Sequence, residues 1–302
     1  MYPDNGWYGH KVALADYCDL AHPRPVFGSI SHGWYPSIGP GIGDRRIAAA
    51  PHFVWNARHL KQARARGVKN VRCIGAPFAY LVAAGESVAN NPLASGARGS
   101  GTGTLAMPHH SADGLVPDHA AAQFIGLVED NCLGPYTVSV YYQDLKQPYV
   151  DIYRARGWRI VSFGARTNPR FLSDLHAELL GHEQVVSDGI QTGLVYGALL
   201  GKRIRVLGGS AHLSDPLGLD WLRVQEFWPQ IHADGLQPDE ARDFGRFELG
   251  ADHLLEPVEL RQALGWANPA TRVSATAIKF IADMRHRRSG ASKDDSVVVS
   301  VH

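Results

Sequence analysis

The chain is poor in several things, and each shortage excludes something. It has three cysteines in 302 residues, Cys18, Cys73 and Cys132, more than fifty positions apart and without a CxxC pair. That excludes a zinc ribbon and a disulfide framework and fits a reducing compartment. It has no surplus of either charge: Lys+Arg 30 against Asp+Glu 29 leaves +1. A partner held by phosphate neutralisation, nucleic acid above all, is therefore not expected. Long apolar runs are missing too. Residues 73–84 are the nearest to one, are broken by Gly75 and Pro77, and are too short to cross a bilayer. The first residues, MYPDNGWYGHK, lack the basic-then-apolar pattern of a signal peptide. A cytoplasmic protein is the expectation. There is no GxxxxGK[ST], no GxSxG and no DxD pair, and Gly39, Gly41 and Gly43 lack the GxGxxG spacing.

What is present is enough to fold. Hydrophobic residues make 45% and charged residues 20%, the balance of a globular chain and not of a disordered one. The length suits one large domain or two smaller ones. Lysine is scarce beside arginine, 7 against 23. Arginine reads carboxylates and phosphates bidentately, although GC-rich coding also enriches it. Histidine, at 15, is over-represented.

The apolar pattern predicts a strand over 25–32, a strand over 51–55, a helix from an Asn56 cap to Arg66 stopped by Gly67, and a strand over 68–75. Residues 86–103 are small and polar and read as an exposed linker. Beyond them, strands 104–108, 136–142, 158–164, 183–187 and 202–209 alternate with helices 118–134, 147–157, 169–181 and 188–201. Such alternation predicts an α/β fold with parallel, doubly wound sheets in two Rossmann-like lobes. The division expected is a short N-terminal lobe over 1–95, a larger lobe with a helical extension over 96–286, and a disordered tail over 287–302.

Open parallel sheets bind ligands beyond the carboxyl ends of their strands, so strand-to-helix turns are the places to search. Ser187-Asp188-Gly189-Ile190-Gln191-Thr192 follows a strand and opens a helix. Backbone N–H groups there favour a phosphate or carboxylate, with Ser187 and Thr192 as hydroxyl donors. Equally, Ser187 could be a plain cap. Pro108-His109-His110-Ser111 also ends a strand. His110 and Ser111 can hydrogen-bond a phosphate, whereas adjacent histidines do not form a zincin-like ligand pair. Ser31-His32-Gly33-Trp34 ends the first strand. His32 there can be a general base, and Trp34 can stack on a sugar or pack in the core. Arg166 is a further candidate for an anion, with Asp144 and Lys146 weaker ones.

The segments GSISHGWYP, PHFVWNARHLKQARARGVKNVRCIGAPFAYL, PHHS, VSVYYQDL, YRARGWRIVSFG and VSDGIQTGLVYGALLGK resemble bacterial capsule and surface-polysaccharide biosynthesis proteins with a GT-B-like glycosyltransferase fold. The last segment is similar to the donor turn of transferases that use CMP-activated acidic sugars. The resemblance implies a glycosyltransferase moving a sugar from a CMP-, UDP-, GDP- or dTDP-linked donor to a hydroxyl acceptor. It implies donor contacts at His110, Ser111, Arg166, Ser187, Asp188, Gly189 and Thr192, and His32 and His110 as catalytic residues. Trp34 would face the acceptor, and no metal or cofactor would be required. A homo-oligomer could complete the short lobe. The alternatives are a GT-B-like sugar-nucleotide epimerase or hydrolase, a non-catalytic sugar-nucleotide or partner-binding module, and a histidine-rich metalloprotein.

Overall fold

The computed structural model describes residues 3–37, 50–89, 101–109, 118–208 and 224–267. The first sheet is built from short apolar runs: β1 (Ser29–Ile30), β2 (His52–Val54) and β3 (Val71–Cys73). They pair in parallel in the order β1-β2-β3. β2 is central and wholly buried, as its unalternating HFV sequence requires. Helix α1 (His10–Tyr17) precedes this sheet, and α2 (Ala57–Ala65) links β2 to β3. The predicted cap is present, Asn56 Oδ1 accepting from His59 N–H at 2.8 Å.

The linker expected over 86–103 is corrected at both ends. Helix α3 (Pro77–Ala89) runs into its first residues. At its other end Thr102 N–H donates to Gly181 O at 3.0 Å, leading straight into β4 (Thr104–Ala106). Helix α3 is apolar around much of its circumference because it is shared. Tyr80 packs with the first sheet's core, while Phe78 and Ala79 pack with the second.

The second sheet holds β4, β5 (Tyr136–Ser139), β6 (Arg159–Val161), β7 (Gln184–Ser187) and β8 (Arg203–Val206). All pairs are parallel and the order is β6-β5-β4-β7-β8, the doubly wound arrangement expected. Helices α4 (Asp118–Asn131), α5 (Pro148–Ala155), α6 (Phe171–Leu180) and α7 (Thr192–Leu199) make the crossovers. The chain turns from β4 toward β5 but from β7 toward β8, so the order reverses between neighbours β4 and β7. In register Ala106 faces both Val138 and Val186, which brings three strand ends to one level.

The helical extension contains α8 (Val224–Phe227), α9 (Pro229–His232), α10 (Pro238–Leu249) and α11 (Pro257–Ala263). Helix α10 packs along α7, after which the chain returns to the first sheet. There Leu260, Leu264 and Trp266 join Leu14, Val26, Ile30 and Phe53. Gly250 makes the return possible: its φ is 62°, and a Cβ would lie 1.8 Å from Trp55 O. The largest core cluster runs from Trp34, Trp55 and Phe78 to Leu105, Val185 and Ile204. The two sheets therefore share buried packing. Among the described residues no helix is long and apolar enough to cross a membrane. The expected tail over 287–302 lies outside the described residues.

Candidate functional site

The carboxyl ends of β4, β5 and β6 open into a cleft of about 470 Å³. Its wall on that side comprises Met107–His109, Ser139–Tyr141 and Ser162–Gly164, with Gln191–Gly193 from the start of α7. The opposite wall is His32–Tyr35, just after β1, together with Tyr8. Both sheets thus present carboxyl strand ends to one space, at the place where an open α/β sheet can admit a ligand.

His32 lines this cleft, and its Nε2 lies 2.9 Å from Tyr35 Oη. The edge of Trp7 meets its ring at 5.2 Å between centroids. Behind it, His10 is fully buried. Burial, reinforced by the neighbouring His32, pushes the His10 imidazole down to about 3, so it is neutral at neutral pH. Thr192 also lines the cleft, and its Oγ1 accepts from Trp34 N–H at 2.9 Å. This bond ties the β1 turn directly to the start of α7.

Other candidates are placed differently. The Trp34 ring is core, not a sugar platform. It is 2% exposed, its Nε1–H donates to buried Glu248 at 2.8 Å, and Trp228 packs against it edge-on. Glu248 also receives Asn56 Nδ2–H at 3.4 Å and pairs with Arg58 at 2.5 Å. Strand β7 ends in a self-satisfied turn. The Ser187 hydroxyl is buried, donates to Met107 O at 2.6 Å and accepts from Gln191 Nε2 at 2.8 Å. The helix starts at Thr192, four residues later than 188, with Gln191 in the cap position. Gly189 is buried, and its N–H points to Ser187 Oγ at 3.4 Å.

Asp188 reaches across to β4. One of its oxygens accepts from His109 N–H at 2.9 Å and lies 2.7 Å from His109 Nδ1. Burial alone would raise the Asp188 carboxyl, but these bonds and the His109 charge hold it below the usual carboxylate value. Arg166 stands exposed two residues beyond the cleft-lining Gly164, its guanidinium over the Trp7 ring at 4.1 Å. His110 and Ser111 lie outside the described residues. Asp144 is buried after β5 with Oδ2 unpartnered, and Lys146 closes the same short 3-10 turn.

Sequence reasoning passed over Tyr8, Tyr35, Ser139, Ser162 and Tyr196, all of which line the cleft. A signal existed for two of them. Strands β5, β6 and β7 each run out in Val-Ser, at 138–139, 161–162 and 186–187. A hydroxyl closing an otherwise apolar parallel strand marks the level where the core gives way to the crevice. Ser162 Oγ is shielded from solvent and has no hydrogen-bond partner. Among the described residues no group of three or more His, Cys, Asp or Glu is arranged for a metal ion.

The fold and the cleft together define a parallel α/β protein with Rossmann-like lobes and a cleft between its two sheets. No family model matches the chain, and no curated protein matches it. Among solved structures it is similar to the UDP-GlcNAc 2-epimerase from Neisseria meningitidis bound to UDP-GlcNAc. That likeness has 12% identity and a TM-score of 0.38, and covers 80% of this chain and 66% of that one. It is also similar to an S. aureus TarM mutant in complex with fondaparinux, alpha-GlcNAc-glycerol and UDP, at 10% identity and a TM-score of 0.29. There the coverage is 75% of this chain and 43% of that one. The chain spans less than two thirds of either protein's length.

Proposed function

We propose that the cleft binds a nucleotide-activated sugar and passes the sugar to a hydroxyl acceptor, as the resemblance in sequence implies. The observation that supports this most is the meeting of both sheets' carboxyl ends in one cleft, with His32 on one wall and the α7 start on the other. In this reading the donor lies against the second sheet, where Ser139, Ser162 and Thr192 offer hydroxyls and the first turn of α7 offers backbone N–H groups. The acceptor hydroxyl approaches His32. Its oxygen forms the new bond to the sugar as the bond to the nucleotide's phosphate oxygen breaks. The hydroxyl proton passes to the His32 imidazole, which is suited to that role near neutral pH. His32 and the Tyr35 hydroxyl share one hydrogen bond, which fixes the ring toward the cleft.

The test is a thermal-shift panel of CMP, UDP, GDP and dTDP, followed by donor turnover with candidate acceptors. At least one nucleotide should stabilise the wild type, and Ser162→Ala should weaken that nucleotide. His32→Ala should retain binding while turnover falls by about 10²–10⁴. If none of the four nucleotides stabilises the protein, the reading fails. Donor consumption that is independent of any acceptor would replace transfer with hydrolysis or epimerisation.

A further inference from the structure

The cleft has a third contributor that belongs to neither sheet. Residues Pro3–Gly9 form a kinked 3-10 segment laid between the lobes. One end is laced to β1, Asn5 Nδ2–H donating to Gly28 O and Asn5 Oδ1 accepting from Ile30 N–H, both at 2.7 Å. The other end is held by the second lobe. Tyr8 N–H donates to Arg166 O at 2.5 Å, and the Tyr8 ring meets Phe171 edge-on at 4.9 Å. Tyr8 has a φ of 56°, a left-handed conformation that is strained for a non-glycine residue. Gly9 follows at φ 76°, where a Cβ would lie 2.4 Å from Pro169 O. Such a backbone persists only where its surroundings fix it, and here both lobes do.

The kink presents Trp7 to two groups at once. The Arg166 guanidinium lies 4.1 Å over its ring, and the His32 ring stands 5.2 Å away. Arg154, Arg156, Arg159 and Arg170 of this lobe are each paired to a carboxylate, whereas Arg166, like the exposed Arg203 on β8, has no such ion pair among the described residues. Among the described residues no carboxylate lies against Arg166. A guanidinium stacked on an indole keeps its N–H fork directed outward and is pre-organised for an oxyanion. Burial, and after it Tyr142, pushes the cleft-lining Tyr141 phenol up, and the Arg166 charge acts against them.

We propose that Trp7 is a positioning residue which holds Arg166 beside the cleft, near His32, as a site for the oxyanion of the ligand. This rests on the cleft being the ligand site argued above. The oxyanion is a phosphate or a carboxylate, groups that the same fork reads alike. Arg166 makes the contact, and Trp7 acts through it.

The test is an NMR titration with inorganic phosphate, acetate and CMP, following the Trp7 indole and His32 ring signals, on wild type and variants checked by circular dichroism. Arg166→Gln and Trp7→Ala should each weaken the preferred anion by about tenfold, the scale of one charged hydrogen bond near solvent. Trp7→Phe should restore most of the loss, and Arg166→Lys only part of it. The double variant Trp7→Ala/Arg166→Gln should bind no worse than either single one, because both remove the same contact. A larger loss for phosphate assigns the nucleotide's phosphate to the site, and a larger loss for acetate assigns a carboxylate. Binding unchanged by Arg166→Gln, or losses that multiply in the double variant, would overturn the proposal. The phosphate and acetate arms stand even if no nucleotide binds, so this failure is distinct from that of the transferase reading.

Discussion

Two strand-end turns face the same interlobe region, and they are put to opposite uses. The turn after β7, Ser187 to Gln191, spends its polar groups on itself and on β4: the Ser187 hydroxyl and the Gln191 amide both go to Met107 O. Asp188 is taken by His109. The turn after β1 fixes its backbone through Trp34 and Thr192, and lets the His32 ring line the cleft. Being at the carboxyl end of a parallel strand therefore does not suffice to make a site residue. The direction of each side chain divides scaffold from site.

The most damaging way to break this comparison is at the anchor of the β1 turn. Glu248→Ala would leave the Trp34 indole N–H without its acceptor and remove the carboxylate paired with Arg58. Loss of one partner of a buried pair should cost about 3 kcal/mol, read as a lower urea midpoint at an unchanged m-value. Cleft affinity should fall with it, since Trp34 N–H holds Thr192. A loss below about 1 kcal/mol would mean that the β1 turn is fixed by something other than this network.

A smaller effect is expected from pH. His10 is neutral when folded because its value lies near 3, whereas unfolded it returns to about 6.5. Between those values the unfolded state binds the extra proton, so stability declines as pH falls from 6.5 and rises as pH rises. The slope from this one group is at most about 1.4 kcal/mol per pH unit. Both ring nitrogens of His10 lack hydrogen-bond partners. His10→Phe should thus flatten the decline between pH 6.5 and pH 5 at little cost at pH 8. Urea midpoints at three pH values measure it, and an undiminished decline would place the sensitivity elsewhere, His59 being the next buried imidazole.

The fold was legible where local signals and burial agree. The strands were short apolar runs bounded by glycine and proline, and the Asn56 cap sat where a polar residue meets an apolar period. Helix α3 was not legible, because packing between two cores removes the polar face that gives a helix its period. Nor was the start of α7: Ser-Asp-Gly resembles a cap, but Asp188 bonds back to His109 instead of forward to the helix. Trp34 illustrates the remaining difficulty. Its position was readable, yet its ring is committed to Glu248, 214 residues away, and no local pattern carries that. The place of His32 on the cleft wall was readable, because the position after the first strand defines it.

The finest probe of the comparison is Ser187→Ala. Its hydroxyl is buried, donates to Met107 O and accepts from Gln191. Removing it leaves Met107 O with the Gln191 amide and takes one acceptor from that amide, so the cost should be about 1 kcal/mol of stability. Ligand affinity should change by less than about twofold, because Ser187 is turned into the protein and does not line the cleft. Ser162→Ala should show the reverse pattern, since Ser162 Oγ has no partner to lose and the residue lines the cleft. Measured side by side by urea denaturation and nucleotide titration, the two alanines separate scaffold from site at chemically matched Val-Ser strand ends. If Ser187→Ala weakened the nucleotide tenfold and left the urea midpoint unmoved, the β7 turn would return to the site, and the difference drawn between the two turns would be lost.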